Sequence, residues 1–258
     1  MSKDITVIGD GNVATIEIQR PPFNYFDIDL IEAIADALDS IDADPTIRAI
    51  VLAAQGTAFC AGANFNAPAP ERAVERDQLD GGDLYKEAIR IFRNKKPVVA
   101  AVHGAAIGGG LGLAMSADFR VTCPEARFSA NFTRLGFHPG FGLTVTLPEV
   151  IGRTNAELMF YTSRRVTGEQ AFAMGLANVL VQRDQVRIAA VALAKEIAEC
   201  SPLGLLSTRA TMRGGLADRV GAAVEHELNE QNRLRHTDDF REGVRSTAER
   251  RAANFIGR

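Results

Sequence analysis

The first fifty residues combine a β-type pattern with a helical one. Residues 5–20 contain two β-branched runs on either side of Asp10-Gly11, a favoured two-residue turn, and this pattern predicts a β-hairpin. Residues 26–45 then place apolar side chains at helical spacing and end at a proline. The chain is therefore predicted to open with a hairpin followed by an amphipathic helix.

Two continuous apolar runs follow, and both predict buried strands. Residues 48–56 and 96–104 each close on a glycine and carry polar side chains only near their ends. Such runs are typical of strands that are covered on both faces in a parallel sheet. A helical pattern at 84–94 lies between them, and residues 119–131 have the pattern of a strand, a turn and a second strand.

The second half of the chain has helical apolar spacing almost throughout. Helices are predicted over 143–152, 155–163, 167–175 and 186–200, and two more follow the segment SPLGLL. Strands thus alternate with helices early, and helices alone finish the chain. This order predicts an α/β core that carries a helical C-terminal part.

Composition and charge narrow the functional classes. The chain has 258 residues, 46% apolar and 24% charged, as expected of one large soluble domain or a domain with a small appendage. A net charge of −3 without a basic block gives no electrostatic basis for nucleic-acid binding. There is no signal-peptide pattern, no apolar run of membrane-spanning length, and only three scattered cysteines. We therefore expect a cytoplasmic protein with no membrane or nucleic-acid partner and no metal centre.

Two loops share a design that suggests chemistry. In residues 56–65, and again in residues 103–112, a buried strand ends and a cluster of alanine or glycine follows. Ligands of open α/β sheets bind beyond the carboxyl ends of the strands. Small residues there would let two main-chain NH groups converge on one substrate oxygen as an oxyanion hole. The same residues would equally allow tight helix–strand packing, so both interpretations stay open at this point.

The three glycines at 108–110 do not form a phosphate-binding motif. They lie in a small-residue run, 106–118, that has helical character although glycine costs about 1 kcal/mol relative to alanine inside a helix. Neither Lys nor Ser or Thr immediately follows them, as a P-loop would require. The last glycine of a dinucleotide fingerprint would fall on Leu113. No nucleotide cofactor is therefore predicted.

Six motifs are distributed over nearly the whole chain: QRPPFN, FCAGANF, KPVVAAVHGAAIGGGLGLAMSADFRV, FSANFTRLGFHPGFG, RRVTGEQAFAMGLANVLV and TDDFREGVRSTAERRAANF. In these motifs the chain resembles the enoyl-CoA hydratase/isomerase (crotonase) superfamily. The resemblance implies an α/β, crotonase-like spiral of ββα turns over residues 1–200 and a helical trimerisation region over residues 201–258. It also implies an acyl-CoA thioester as substrate, with coenzyme A as part of that substrate and no separate cofactor. The implied assembly is a homotrimer or a dimer of trimers.

The resemblance assigns an oxyanion hole to two backbone amides. By position, the donors fall on Ala63 and Gly109, which would hold the thioester carbonyl and stabilise the enolate formed during reaction. Hydratases of the family carry two glutamates at positions that are Gly112 and Phe132 here. Neither residue can transfer a proton. Hydration by two carboxylates is therefore not expected, and isomerisation, decarboxylation, hydrolysis and C–C cleavage all stay open.

Other side chains are candidates for the proton chemistry. His138 lies on the loop that faces the acyl group in the family, and an imidazole titrates near pH 6.5, close to neutrality. We therefore expect His138 to be catalytic. Tyr85 and the acids of the segment before it are the alternatives. Those acids are Glu71, Glu75, Asp77, Asp80 and Asp83.

Aromatic residues are the candidates for acyl binding. The predicted pocket is lined by Phe26, Phe132, Phe137 and Phe141. Their rings could form an apolar or aromatic acyl pocket, although aromatic residues in a run also occur as ordinary core. An aromatic side chain at position 132 would thus replace a proton-transfer group by a binding surface.

The resemblance also indicates where the CoA moiety would bind. Asn24 and the adjoining Phe26, together with Ala61, are expected beside the adenine and pantetheine. Arg250 and Arg251, at the end of the last predicted helix, could reach the phosphates. Basic residues also stabilise the carboxyl end of a helix without any ligand.

Two functional hypotheses result from these patterns. The first is an acyl-CoA enzyme that works through a thioester enolate. The second is a catalytically silent member of the superfamily that binds acyl-CoA or assembles with an active subunit. The loss of both glutamates motivates the second, and turnover of any acyl-CoA thioester would distinguish the two.

Overall fold

The computed structural model describes residues 3–64 and 82–258 of the chain. Those residues contain nine β-strands and ten α-helices. All of the strands lie before residue 181, interspersed with the first six helices, and the last four helices follow them. The strands are β1 Ile5–Asp10, β2 Val13–Ile18, β3 Ala49–Ala54, β4 Val98–Val102, β5 Ala105–Ile107, β6 Phe119–Thr122, β7 Arg127–Ser129, β8 Val166–Thr167 and β9 Val179–Leu180. The helices are α1 Ile28–Ala43, α2 Gly82–Arg93, α3 Gly109–Ser116, α4 Leu143–Ile151, α5 Arg153–Thr162, α6 Gly168–Ala173, α7 Val186–Ala198, α8 Pro202–Arg213, α9 Leu216–Arg235 and α10 Asp238–Ala248.

The main sheet of the described residues has six strands in the order β1-β2-β3-β4-β6-β9. β1 and β2 are antiparallel, and every other neighbouring pair is parallel. β3 and β4 are buried over nearly their whole length, as expected of apolar runs that are covered on both faces. The α/β class predicted from the order of elements is confirmed.

The predicted first helix is confirmed as α1. Its amino end is fixed by Asp27, whose carboxylate accepts a hydrogen bond from the Leu30 amide at 3.1 Å. Its apolar stripe, which includes Ile31 and Ile34, is fully buried. The amphipathic spacing therefore specifies both the helix and the face that it presents to the core.

The hairpin turn lies one residue beyond its predicted position. Asp10 pairs with Val13, so the two connecting residues are Gly11 and Asn12 rather than Asp10 and Gly11. Gly11 has a φ of +60°, a left-handed conformation that glycine adopts without the steric cost of a Cβ. The sequence pattern predicted the hairpin correctly, but the two residues of its turn are determined by the pairing register of β1 and β2.

The expectation that helices alone complete the chain is wrong. β8 and β9 have two residues each and lie at the edges of two different sheets. Two residues are too few to produce a recognisable alternation. β5 is similarly short and occupies the start of the run in which the pattern suggested a helix, so that α3 begins only at Gly109.

A second, three-stranded sheet, β5-β7-β8, carries the glycine-rich segment. β5 and β7 are parallel, and β7 and β8 are antiparallel. The predicted strand, turn and strand over 119–131 are confirmed as β6 and β7, but the two strands belong to different sheets. The chain therefore crosses from one sheet to the other between residues 122 and 127.

The C-terminal helices fold back over the core. α9 packs against α2 and α4, and α10 packs against the 3₁₀ turn Thr133–Leu135. Val220 and Val224 of α9 are part of the buried core. α9 is the longest described helix, with 20 residues, and no described helix has both the length and the apolar character needed to cross a bilayer.

Candidate active site

The two small-residue loops lie side by side. The Cys60 amide donates to the Ala105 carbonyl, and the Ile107 amide donates to the Cys60 carbonyl, both at 3.0 Å. A Cβ added to Gly62 would lie 2.7 Å from the Ile107 oxygen and 3.7 Å from the Gly109 nitrogen. The loop that follows β3 is therefore held in direct contact with the start of α3.

This contact brings the two expected oxyanion donors to one cavity. Ala63 and Gly109 both line it. Among residues 3–64 and 82–258, neither amide donates to a backbone carbonyl. Gly109 is the first residue of α3, where NH groups have no acceptor within the helix. Two amides from separate loops are thus available to a ligand atom.

The cavity has a volume of about 450 Å³, within the range of small-molecule sites. It lies between the two loops, α2, the 3₁₀ turn and the last two helices. Seven of the residues predicted for the site line it: Phe26, Ala61, Ala63, Gly109, Phe132, Phe137 and Phe141. Most of the residues predicted for the substrate site thus lie at one cavity, although they form a minority of its lining.

The glycines of the cluster serve close packing as well as amide access. A Cβ on Gly109 would lie 2.3 Å from Phe26 Cζ, and a Cβ on Gly110 would lie 2.1 Å from the Cys60 carbonyl oxygen. Real Cβ atoms do not approach so closely. The packing interpretation of the small residues is therefore confirmed, and the oxyanion-hole interpretation stays a prediction.

Phe141 occupies the space beside Gly112. A Cβ on Gly112 would lie 2.6 Å from Phe141 Cβ and 2.8 Å from the Phe141 ring. Phe141 is 1% exposed, has a φ of +61°, and packs its ring 5.7 Å from that of Phe26 and 6.4 Å from that of Phe92. A residue with a side chain at position 112 is therefore incompatible with this placement of Phe141.

Phe132 and Phe137 form a second aromatic wall. Their ring centroids are 5.4 Å apart in an edge-to-face arrangement. Phe137 contacts Phe240 of α10 in the same way at 5.3 Å. The position that carries a glutamate in hydratases is thus part of a continuous aromatic surface that reaches the last helix.

The side chain of Asn24 does not reach the cavity. Asn24 is fully buried and does not line the cavity. Its amide group donates to the carbonyls of Gln55 and Ala58 at 2.6 and 2.7 Å and accepts from the Arg20 amide at 3.0 Å. Through these hydrogen bonds the Asn24 side chain connects the segment 20–26 to the loop after β3.

The prediction for His138 is also not matched by its position. His138 is not among the cavity-lining residues, and its imidazole lies 5.6 Å from that of His226 on α9. Its Nδ1 is 2.8 Å from the Pro139 carbonyl oxygen. The backbone of His138, not its ring, contacts the wall, since its carbonyl accepts a hydrogen bond from Gln231 Nε2 at 2.9 Å.

The other predicted polar groups are placed as follows. Asp83 pairs with Lys86 at 2.9 Å and does not line the cavity. Glu71, Glu75, Asp77 and Asp80 lie outside the described residues. Arg250 lines the cavity, as expected of a residue that could meet CoA phosphates. Arg251 does not, because its guanidinium pairs with Glu242 at 2.5 Å and with Glu249 at 2.5 Å.

A polar network forms one wall of the cavity. The Tyr85 hydroxyl donates to Gln231 Oε1 at 2.8 Å, and the Arg235 guanidinium donates to the same oxygen at 3.3 Å. All three residues line the cavity. Gln231 and Arg235 were missed by the sequence reasoning. The signal lay in the inward stripe of α9, which continues from Val220 and Val224 into polar residues at helical spacing.

Tyr85 is held in its neutral form. Its side chain is 7% exposed, and burial together with the nearby Glu227 carboxylate raises the pKa of the phenol. Its hydroxyl is so close to Gly140 that a Cβ there would lie 2.0 Å from the Tyr85 oxygen. Tyr85 therefore presents a protonated hydroxyl at the cavity wall, and Gly140 leaves the room that it needs.

The ionisable groups of the wall are cationic. Arg165, Arg235 and Arg250 line the cavity. Among the described residues that line it, none is an Asp, Glu or His. The buried carboxylate of Glu227, on α9, does not line the cavity and accepts hydrogen bonds from the Gly142 and Thr144 amides. The described wall can thus attract an anion, but it offers no ordinary general base.

Known proteins resemble the chain along its whole length. Crotonyl-CoA hydratase of Syntrophomonas wolfei is 30% identical to this chain, and the alignment covers 99% of both proteins. Carnitinyl-CoA dehydratase of Salmonella typhi is 30% identical over 100% of both chains. The crystal structure of an enoyl-CoA hydratase/isomerase from Pseudoalteromonas atlantica superposes with a TM-score of 0.84 at 26% identity, over 98% of this chain and 100% of that one.

The sequence profile of the enoyl-CoA hydratase/isomerase family matches residues 9–258. This match agrees with the α/β fold, the paired small-residue loops and the C-terminal helices described above. The crotonase-like fold class expected from the motifs is confirmed by the structural neighbours. The chain belongs to the enoyl-CoA hydratase/isomerase family.

Proposed function

We propose that the protein binds an acyl-CoA thioester and converts it through an enolate held by the Ala63 and Gly109 amides. The observation that carries this proposal is the pair of amides, on separate loops at one cavity, that have no backbone acceptor among the described residues. Two such donors would stabilise the negative charge that develops on a thioester oxygen. The aromatic walls would surround the acyl group, and Arg250 would lie toward the CoA phosphates.

Hydration of crotonyl-CoA is not the reaction that we propose. Two carboxylates would be needed to position and activate water, and the corresponding residues are Gly112 and Phe132. Phe141 packs against Gly112, and Phe132 packs against Phe137, so the space is filled by rings. The same filling supports the alternative function, a silent member that binds acyl-CoA without converting it.

The proposal is tested by the carbonyl stretch of a bound thioester. Acetyl-CoA labelled with ¹³C at the carbonyl is bound to the protein, and its infrared absorption is compared with that of the free compound. Two hydrogen bonds to the oxygen would shift the band to lower frequency. The matched control is S-ethyl-CoA, a thioether that lacks the carbonyl. It should bind more weakly than acetyl-CoA, because it cannot accept the two hydrogen bonds from the Ala63 and Gly109 amides.

Each result decides between defined alternatives. Binding with a shifted carbonyl band supports the oxyanion hole. Binding without a shift contradicts the hole and leaves a binding protein. If neither compound binds, CoA thioesters are not the ligands. A panel of acyl-CoA thioesters followed by mass spectrometry then separates an enzyme from a silent member.

We also propose that the chain assembles as a trimer or a dimer of trimers through its C-terminal helices. Leu203 and Met212 of α8 are 79% and 81% exposed, although large apolar side chains usually avoid water. A second copy of the chain would cover them. Light scattering coupled to size-exclusion chromatography measures the molar mass, and a monomeric mass at micromolar concentration contradicts this assembly.

A further inference from the structure

Phe141 has a backbone conformation that residues with a side chain rarely adopt. Its φ is +61°, in the left-handed region, and the following Gly142 has a φ of +70°. A non-glycine residue in that region is sterically strained, and it persists only where its surroundings fix it, most often at functional sites. Phe141 also lines the cavity, so the strained residue lies at the proposed acyl site.

The backbone on both sides of Phe141 is held by side chains of α9. A Cβ on Gly140 would lie 2.5 Å from Gln231 Nε2, so this glycine packs directly against the Gln231 side chain. The Gly142 amide donates a hydrogen bond to Glu227 Oε2 at 2.9 Å. Glu227 and Gln231 are 0% and 1% exposed. Two buried polar side chains of α9 therefore fix the loop that carries Phe141.

The loop places the Phe141 ring on the face of α3 that begins at the proposed oxyanion donor. Gly109 and Gly112 are three residues apart on α3, so they share one face and lie about 4.5 Å apart along the helix axis. A Cβ on Gly109 would lie 2.3 Å from the Phe26 ring, and a Cβ on Gly112 would lie 2.8 Å from the Phe141 ring. The two ring centroids are 5.7 Å apart. Phe26 and Phe141 thus form a continuous aromatic floor beside the Gly109 amide.

This aromatic floor leaves no spare room next to a carbonyl bound by the Ala63 and Gly109 amides. Phe141 is only 1% exposed although it lines the cavity, and the Phe92 ring lies 6.4 Å from its own. The α-carbon of a bound acyl group would lie against the floor. A second substituent on that carbon would have to displace a packed ring, which is unfavourable in a dense core. A straight chain can instead continue toward the second aromatic wall.

We propose that Phe141 determines the acyl specificity of the site and excludes acyl groups that are branched at the α-carbon, with Glu227 as its positioning residue. This inference rests on the proposed function, because it takes the thioester carbonyl to lie at the Ala63 and Gly109 amides. It specifies the substrate class as CoA thioesters whose acyl group is unbranched next to the carbonyl.

The test compares two isomeric ligands, butyryl-CoA and isobutyryl-CoA, on the full-length protein. They have the same atoms and the same CoA moiety and differ only in the attachment of one methyl group. Isothermal titration calorimetry of the wild type should give an affinity for butyryl-CoA at least about tenfold above that for isobutyryl-CoA, as is usual when a pocket discriminates by one methyl-sized group. Equal affinities for the two isomers overturn the proposal without any variant.

Phe141→Leu should reduce this preference to below about threefold, because the shorter side chain frees space on the floor. Leucine keeps a buried apolar side chain at the position, which preserves more of the packing than alanine does. The matched control is Phe160→Leu, at a ring on α5 that is 8% exposed and does not line the cavity. The control should keep the wild-type preference. An unchanged preference in folded Phe141→Leu overturns the role of Phe141.

Glu227→Gln tests the positioning role. Glu227 does not line the cavity, so its side chain makes no contact with a ligand there. Its two oxygens accept from the Gly142 and Thr144 amides, whereas a glutamine side chain has a single oxygen, so one of these donors loses its acceptor. We expect the preference for butyryl-CoA to fall severalfold while the affinity for butyryl-CoA itself changes little. A loss of stability with an unchanged preference overturns the positioning role.

The failures of the two proposals are distinguishable. Binding of both isomers with equal affinity overturns the specificity and leaves the proposed enolate function intact. Binding of acetyl-CoA but of neither isomer overturns the specificity in the same way. If acetyl-CoA and both isomers all fail to bind, the proposed function itself is overturned, and the specificity with it.

Discussion

The side chain of Phe141 takes the volume that a residue other than glycine would need at position 112, since a Cβ on Gly112 would lie 2.6 Å from Phe141 Cβ. In this chain the absence of a side chain at position 112 and the placement of the Phe141 ring therefore depend on each other. The position cannot regain a carboxylate by a single substitution without moving the ring.

Gly112→Ala should reduce the free energy of unfolding by about 1–3 kcal/mol, the usual cost of overpacking a core. Phe141→Ala should reduce it by about 3–5 kcal/mol, because a buried ring is lost. The double variant should lose less than the sum, since the new methyl group enters the space that the ring vacates. Urea unfolding of the four proteins measures this coupling, and strict additivity would contradict the contact.

Asn24→Ala should destabilise the protein by about 3 kcal/mol, because it removes three hydrogen bonds and leaves the buried carbonyl of Ala58 without this donor. The matched control is Asn12→Ala. Asn12 donates one exposed hydrogen bond to the Thr46 carbonyl, so its loss should cost less than about 1 kcal/mol. Affinity for acetyl-CoA, measured by calorimetry well below the melting temperature, should be unchanged by Asn24→Ala. A large loss of affinity in the folded variant would restore the original prediction for this residue.

Glu227 should make stability fall with rising pH. Burial raises the pKa of Glu227 above its ordinary value of 4.5, while hydrogen bonds from Thr144 and Gly142 oppose that rise. The folded protein therefore binds the proton more tightly than the unfolded chain does. The contribution of this group is present below about pH 4.5 and is lost as pH rises through the folded pKa.

The measurement compares wild type with Glu227→Gln over a series of pH values. The wild-type free energy of unfolding minus that of the variant should decrease from pH 4.5 upward and level off above the folded pKa. A difference that grows with pH would mean that hydrogen bonding, not burial, dominates at this carboxylate.

His138→Ala should leave the affinity for acetyl-CoA nearly unchanged, because the His138 ring lies 5.6 Å from that of His226 and the residue does not line the cavity. Isothermal titration calorimetry of the wild type and the variant measures this affinity. A large loss of affinity in the folded variant would place the imidazole at the ligand.

Sequence alone predicted the elements with strong periodicity and the backbone of the site. The apolar runs at β3 and β4 and the helical spacing of α1 each have one dominant signal. The small residues around Ala63 and Gly109 mark the loops because close approach leaves no room for side chains. These features are local, so a short window of residues contains the reason for them.

The features that sequence missed depend on contacts between distant segments. Tyr85 and Gln231 are separated by 146 positions, and only the packing of α9 on α2 brings them together. His138 seemed suitable by its residue type, but its carbonyl rather than its ring contacts the wall residue Gln231. Asn24 is a polar residue next to the expected CoA site, but its side chain is engaged by hydrogen bonds to the carbonyls of Gln55 and Ala58. In each case the identity of the partner decided the role.

Phe26 contacts both of the segments that carry the proposed oxyanion-hole amides. Its amide donates to the Gly62 carbonyl at 3.1 Å and its backbone pairs with Ala63, while the tip of its ring fits over the α-carbon of Gly109. One aromatic side chain therefore acts as a spacer that sets the gap between two amides on different loops. Residues elsewhere in the cavity can change without altering that gap. The same pair of amides could then bind a carbonyl oxygen in proteins that carry out very different reactions.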